Sequence, residues 1–252
     1  MEMMEARKKN GDIRATMFAK GLAFKGMQHE NMNVECQDAM KKRSRDGIHV
    51  IVGCDGAGTA RLARQGAEEM SNAWLEYLFD NEATLLRMSK TRAAEHMAQF
   101  TRTKLREFSW KYNCQEDDLA STAMAVIVDQ NINRWMSLHL GDGMILRKHR
   151  SDTCFEILSM PEIGFLMNQT YLTSSNDLAK HIRVRQGNLG DLDSFAVITD
   201  GVYSCPLNVL HLTEKIDRFI EEEKVLPRDD DQGIAVIYQA KGKGSVWLDI
   251  LV

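Results

Sequence analysis

Two apolar runs in this chain each end at an Asp-Gly pair. The first, IHVIVGC at 48–54, leads into Asp55-Gly56, and the second, DSFAVIT at 193–199, leads into Asp200-Gly201. Short continuous apolar runs of this kind are typical of buried strands. Both predicted strands end in a carboxylate. We therefore expect a fold in which these strands end at one edge of a sheet, so that the acidic groups lie together there.

Short strand patterns dominate the rest of the chain. They lie at 122–129, 134–142, 143–150, 153–160, 181–187, 233–241 and 245–252. Apolar residues at three- and four-residue spacing predict a helix after the first Asp-Gly pair, a longer one at about 83–112 and a shorter one at about 211–223. Because strands follow one another without helices between them, we expect an α+β fold of two largely antiparallel sheets with helices on their outer faces.

Composition narrows the class of protein. The chain has 252 residues and a net charge of -4, with mixed acids and bases, which disfavours a nucleic-acid partner. It contains no linker-like segment, so a single domain over 1–252 is expected. No apolar run approaches the roughly 18 residues of a membrane span, and the first residues lack a signal-peptide core, so a cytoplasmic protein is expected.

The scattered cysteines form no CxxC pair, which argues against a zinc cluster or a disulfide framework. They are Cys36, Cys54, Cys114, Cys154 and Cys205.

Further acids stand next to the predicted strands. They are Asp38, Asp117, Asp118, Asp229, Asp230 and Asp231. Each Asp-Gly pair, taken alone, fits an ordinary turn. Carboxylates that meet at one sheet edge repel one another unless a cation neutralises them, and hard divalent cations prefer such oxygen ligands. The repeated pattern therefore favours a divalent metal site over a set of unrelated turns.

A nucleotide-binding loop is the alternative reading of GAGTARLARQG at 56–66. The chain has neither a GxGxxG nor a GxxxxGK[ST] pattern, and Asp55 at the loop entry repels phosphate unless a metal intervenes. A nucleotide-binding protein remains an alternative that ATP binding without a divalent ion would support.

Six segments in order resemble the metal-dependent type 2C (PPM) Ser/Thr protein phosphatases, most closely their compact bacterial subgroup. They are GMQHENMNVECQDAM (26–40), VGCDGAGTARLARQGAE (52–68), LASTAMAVIV (119–128), LHLGDGMIL (138–146), FAVITDGV (195–202) and DDDQGIAVIY (229–238). The stretch GFLMNQTYLTSS (164–175) also resembles that subgroup. The resemblance implies a four-layer α/β/β/α sandwich and a phosphoprotein (Ser/Thr) phosphatase.

The resemblance also implies a centre of two Mn²⁺ or Mg²⁺ ions. Asp55 bridges the two ions, the Gly56 carbonyl binds one, Asp200 and Asp230 complete the other, and Asp38 acts directly or through water. Asp117 matches the acid that holds a third, weaker metal, with Asp118 as its substitute. A hydroxide that bridges the metals then attacks the phosphate monoester, so Asp38, Asp55 and Asp200 are the expected catalytic residues. The implied partners are a phosphorylated protein and a cognate Ser/Thr kinase, and a monomer is expected.

Some positions depart from the family pattern. Asn33 stands where eukaryotic-type members have a phosphate-binding Arg, and Ala57 replaces the His that serves there as general acid. His29 is the candidate to assist in its place. Asp142, in Gly-Asp-Gly, is expected to stabilise a turn rather than to bind metal, and 159–180 is the expected flap beside the site. The complete set of metal acids favours an active enzyme over a catalytically silent metal-binding pseudophosphatase that acts as an interaction module.

Overall fold

The computed structural model describes residues 16–162, 170–203 and 207–239. Their strands are β1 Met17–Phe24, β2 Asp38–Arg45, β3 Ile48–Asp55, β4 Ala123–Asp129, β5 Arg134–Leu140, β6 Met144–His149, β7 Glu156–Ser159, β8 Arg183–Asn188, β9 Leu192–Ile198 and β10 Gln232–Gln239. Their helices are α1 Met27–Asn31, α2 Ala63–Asp80, α3 Glu82–Leu85, α4 Lys90–Tyr112, α5 Leu178–His181 and α6 Val209–Glu222. The strand predicted at 245–252 lies outside the described residues.

Two five-stranded sheets form the centre of the fold. One has the strand order β1-β10-β9-β6-β7 and the other β2-β3-β4-β5-β8. Every pairing between these strands is antiparallel. The predicted α+β class and its two antiparallel sheets are therefore confirmed.

Three apolar clusters separate the four layers. Along β3, Val50 and Val52 face the cluster under α2 and α4, while Ile51 between them faces the cluster between the sheets. A third cluster joins β6, β9 and β10 to α6, with Phe219 of that helix fully buried. Because successive strand residues point to opposite faces and both faces are covered, β3 needs the continuous apolar run seen in its sequence.

The helices follow the predicted pattern with one correction. The helix predicted at about 83–112 is interrupted, since the short α3 ends before α4 begins. Ser89 starts the second helix, because its hydroxyl accepts a hydrogen bond from the Arg92 amide. Asn113 ends it in the left-handed conformation, with φ of 48°. None of the helices in the described part of the chain is long and apolar enough to span a bilayer.

Two strands were not predicted from the sequence. β1 (MFAKGLAF) and β2 (DAMKKRSR) each lie at one edge of a sheet. Edge strands carry lysine and arginine side chains that keep other chains from pairing with them. In β2 the charged residues at 41–45 interrupt the apolar alternation by which a strand is recognised, whereas β1 has one charge, at Lys20.

Candidate metal centre

Asp55 lies at the middle of the acidic site, at the last residue of β3. Its backbone is fixed by β4, because its amide donates to Thr122 Oγ1 (2.9 Å) and its carbonyl accepts from the Thr122 amide (2.8 Å). Asp38, the first residue of β2, is its direct cross-strand partner. The antiparallel register therefore places two carboxyl groups opposite each other at one end of this sheet.

The other sheet and a turn add two more carboxyl groups. Asp200 follows β9 and opens a short 3-10 turn at Asp200–Val202, and Asp142 follows β5 in the Gly-Asp-Gly turn. One carboxylate oxygen from each of Asp55, Asp142 and Asp200 lies within 4.8 Å of the others. The structure thus brings Asp142 into the acidic cluster, and not only into the turn expected for it.

These carboxyl groups oppose one another's ionisation. Burial, with negative charge from Asp38 and Asp200, raises the pKa of Asp55 well above its ordinary value. Burial and the neighbouring Asp230 raise the pKa of Asp200. Burial and Asp200 raise the pKa of Asp142 to about 6. Without a compensating positive charge, the surrounding residues do not stabilise all of these carboxyl groups in their ionised form.

Asp38 is the most deeply buried member of the site and has a built-in donor. The Thr199 hydroxyl donates to Asp38 Oδ2 (2.7 Å) and accepts from the Gly233 amide (2.8 Å). Burial raises the pKa of Asp38 to about 8, although the Thr199 hydrogen bond opposes the rise. This chain of hydrogen bonds fixes which way the Asp38 carboxyl faces.

The three consecutive aspartates before β10 have three different environments. Asp229 is exposed and outside the cleft, while its neighbour Asp230 lines the cleft. Asp231 is only 4 % exposed, and its carboxylate accepts hydrogen bonds from the amides of Gly26 (2.7 Å) and Gln37 (2.6 Å). Both Asp230 and Asp231 therefore border the cleft, and Asp231 in addition holds the 26–37 segment in place.

A cleft of about 560 Å³ opens over these acids. Gly56, Ala57 and Thr59 form part of its wall, and Thr170 and Leu172 border it from the segment predicted as a flap. Residues 163–169 of that segment lie outside the described part of the chain. Within the described residues, no lysine or arginine lines the cleft. A phosphate group that enters it is therefore opposed by carboxylates unless cations intervene.

The glycines of the two Asp-Gly pairs allow the backbone to pack closely against neighbouring segments. A Cβ atom at Gly56 would lie 2.4 Å from the Ala63 carbonyl oxygen, and one at Gly201 would lie 1.8 Å from the Asp231 carbonyl oxygen. Neither glycine has a positive φ, whereas Gly141 does, at 114°. At both positions the missing side chain, and not a left-handed backbone, is what requires glycine.

The acids expected to hold a third metal face elsewhere. Asp118 pairs with Arg61 (3.2 Å) and accepts a hydrogen bond from the Gln115 amide, which caps the 3-10 turn at Glu116–Leu119. Neither Asp117 nor Asp118 is among the described residues that line the cleft. A third metal at these residues stays a prediction that requires Asp118 to leave Arg61.

The donor set suits a hard divalent cation. Carboxylate oxygens from several elements converge within 4.8 Å of one another, and burial together with their mutual repulsion raises the pKa values of these groups, an effect that a bound cation would oppose. Mg²⁺ and Mn²⁺ prefer such oxygen ligands and keep several waters, for which the cleft has room.

The sequence profile of a family described as "Protein phosphatase 2C" matches residues 25–232. This chain belongs to the protein phosphatase 2C family. The family recognised from six sequence segments is thereby confirmed, and with it the class of protein-serine/threonine phosphatases. None of the curated protein sequences compared with the chain matches it.

Solved structures of phosphatases share the fold at low sequence identity. Serine/threonine phosphatase Stp1 from Staphylococcus aureus has a TM-score of 0.61 and 9% identity, covering 89% of this chain and 95% of Stp1. RsbX in complex with magnesium has a TM-score of 0.57 and 11% identity, covering 89% and 96%. A bacterial serine phosphatase has a TM-score of 0.60 and 10% identity, covering 90% and 100%. At such identities these neighbours support the fold, and the family rests on the profile.

Proposed function

We propose that this protein is an active phosphoprotein Ser/Thr phosphatase that depends on two Mn²⁺ or Mg²⁺ ions. The observation that carries the proposal is the convergence of Asp55, Asp142 and Asp200 within 4.8 Å, in a cleft that no described lysine or arginine lines. In a member of the protein phosphatase 2C family, such a site fits divalent cations first and a phosphate group through them.

The chain's own residues are assigned to three tasks. Asp55, whose backbone is held by Thr122, would hold the cations, and the Gly56 carbonyl would bind one of them. Asp200 and Asp230 are the proposed ligands from the other sheet, and Asp38, oriented by Thr199, binds directly or through water. Bound divalent cations supply a nucleophile at neutral pH and offset charge on the phosphoryl oxygens.

Asp142 is added to this set because of where the structure places it. Its carboxyl group shares the cluster with Asp55 and Asp200, and the positive φ of Gly141 fixes the turn that carries it. We assign it the role of holding a cation or a water on that cation. The substrate is a phosphorylated protein, for which a cognate Ser/Thr kinase is the natural partner, and we propose a cytoplasmic monomer.

Activity with matched variants tests the function. Purified protein is assayed with Mn²⁺ or Mg²⁺ against para-nitrophenyl phosphate and a phosphothreonine peptide. Asp200→Asn removes a proposed ligand and is expected to lower turnover by at least about 100-fold, in the range seen when electrostatic catalytic groups are removed. Asp229→Asn makes the same chemical change at an exposed residue outside the cleft and is expected to leave turnover unchanged. Wild-type turnover no higher than that of Asp200→Asn, with each metal, would refute the proposal.

A catalytically silent metal-binding module is the second candidate function. It is favoured by the absence of any described lysine or arginine from the cleft wall, and Asn33 is itself exposed. In that case calorimetry would detect Mn²⁺ binding and tight partner binding without turnover of either phosphate ester.

A further inference from the structure

One histidine shares the cleft with the acidic cluster and is held by a carboxylate that lies outside the proposed metal ligands. His29 is on the short helix α1 and lines the cleft, and its Nδ1 lies 2.9 Å from Asp231 Oδ2. Among the described residues, His29 is the only imidazole that lines the cleft. The pair therefore has the arrangement in which a carboxylate orients a catalytic imidazole.

The surroundings of Asp231 determine which nitrogen of His29 carries a proton. Asp231 is buried and already accepts hydrogen bonds from two backbone amides, at Gly26 and Gln37. A carboxylate that collects N–H donors is an acceptor toward the imidazole as well. His29 Nδ1 is then the donor to Asp231, and Nε2 is the nitrogen left for chemistry in the cleft. No described residue forms a hydrogen bond with Nε2.

Helix α1 is anchored to the segment that carries the proposed ligand Asp230. The amides of Met27 and Gln28 donate to the carbonyl oxygens of Arg228 (2.8 Å) and Asp229 (3.0 Å). A Cβ atom at Gly26 would lie 2.4 Å from the Asp230 carbonyl carbon, so the two backbones touch. The imidazole is consequently held in a fixed position relative to the metal side of the cleft, as catalysis by a positioned group requires.

The reaction needs a proton donor, and the carboxyl groups proposed as metal ligands are ionised when they bind cations, so they do not supply one. A serine or threonine alkoxide is a poor leaving group, so its oxygen must be protonated as the P–O bond breaks. At the position after Asp55-Gly56 the chain has Ala57, whose methyl group has no proton to give. The remaining described wall residues are carboxylates, alcohols, an amide and apolar groups.

We propose that His29 is the general acid of this phosphatase and that Asp231 is its positioning residue. The inference rests on the proposed function. As water adds to phosphorus and the bond from phosphorus to the serine or threonine oxygen breaks, His29 acts as the imidazolium: its Nδ1–H stays hydrogen-bonded to Asp231, and its Nε2 gives the second proton to that oxygen. The products are the free hydroxyl side chain and inorganic phosphate, and His29 regains a proton from solvent, which has received the one lost by the attacking water.

Substrates with different leaving groups test this assignment. Para-nitrophenolate leaves without help, whereas a serine or threonine alkoxide does not. His29→Asn keeps an amide N–H near the Nδ1 position for Asp231 and removes Nε2, whereas His29→Gln places an amide near the Nε2 position. His96→Asn, on α4 beside Tyr77 and outside the cleft, is the matched control.

For both His29 variants we expect kcat on a phosphothreonine peptide to fall by about 100-fold or more, within the usual range for general acid catalysis. Turnover of para-nitrophenyl phosphate should change by less than about threefold, KM should change little, and rates across a series of aryl phosphates should depend more steeply on leaving-group pKa. His96→Asn should resemble wild type on every substrate.

Equal losses on both substrates would overturn the proposal, because they would indicate a structural role for His29. Unchanged turnover of the peptide by a folded His29 variant would overturn it as well. Wild-type protein that hydrolyses neither substrate would refute the proposed function itself, and the assignment of His29 would fall with it. The melting temperature of each variant shows whether a loss reflects unfolding.

Discussion

The metal-free protein should become less stable as the pH rises, because its acidic site holds a carboxyl group that resists ionisation. Burial is the main cause, and negative charge from Asp231 and Asp200 adds to it, so that the pKa of Asp38 rises from 3.8 to about 8. In the unfolded chain this carboxyl group ionises near its ordinary pKa. Between the two pKa values the folded state therefore binds a proton that the unfolded state has released.

The sign and the size of the effect follow from this difference. The stability contributed by protonated Asp38 is fully present below about pH 4 and is lost as the pH rises through about 8. One pKa unit corresponds to about 1.4 kcal/mol, so a gap of about four units is on the order of 5 kcal/mol in the free energy of unfolding. For a domain of this size 1 kcal/mol shifts Tm by roughly 2–4 °C, which predicts a fall of roughly 10–20 °C between about pH 4.5 and about pH 8.5.

Thermal unfolding followed by circular dichroism, in the presence of a chelator, measures this fall. Asp38→Asn removes the titrating group and leaves an amide oxygen that accepts from the Thr199 hydroxyl, so its Tm should decline less steeply with pH. At about pH 8 this variant should be more stable than the metal-free wild type. Mn²⁺ or Mg²⁺ should flatten the wild-type decline, because bound cations stabilise the ionised carboxylates.

A wild-type Tm that stays flat or rises with pH in the chelator would refute this reasoning. The same conclusion would follow if Asp38→Asn had the wild-type slope, since the titrating group would then lie elsewhere.

Two further predictions concern the backbone and the hydrogen bonds that shape the site. Gly201→Ala would place a Cβ atom 1.8 Å from a backbone carbonyl oxygen, so denaturant unfolding should show a loss of about 3 kcal/mol or more in the free energy of unfolding. Gly58→Ala, with open space around it, should be neutral. Equal stability of the two variants would contradict the close packing. Thr199→Val leaves the Gly233 amide and Asp38 without their shared partner, so it should lower the free energy of unfolding by about 1–3 kcal/mol and weaken Mn²⁺ binding in calorimetry. Thr199→Ser should preserve both stability and Mn²⁺ binding. A Thr199→Val variant that binds Mn²⁺ like wild type would contradict the positioning role.

The central strands and their acids were predictable because their physical causes are local. β3 and β9 are covered on both faces, so their sequences are largely apolar, and the acidic residue at which each apolar run ends is conspicuous. The edge strands β1 and β2 were not predicted; in β2 a run of charged side chains interrupts the apolar pattern.

The roles of individual acids were less predictable because they depend on burial and on distant segments. Asp142 stands in a Gly-Asp-Gly turn like many others, and its membership of the cluster appears only when β5 and β9 bring it beside Asp200. Asp230 and Asp231 are neighbours of the same type and both line the cleft, yet Asp230 is exposed and Asp231 is buried against the 26–37 segment. The spacing of residues does not contain that distinction. The hydrogen bond between His29 and Asp231, which are 202 positions apart in the sequence, likewise forms only because the fold brings them together.

Metal-titrated turnover tests the central claim most directly. Metal-stripped protein, at a concentration well above its dissociation constants, is titrated with Mn²⁺ while phosphate release from a phosphothreonine peptide is measured. A two-metal phosphatase should be inactive without Mn²⁺ and should reach full turnover at about two equivalents. Hydrolysis that persists in the chelator, a break at one equivalent, or turnover that never exceeds that of Asp200→Asn would contradict the account.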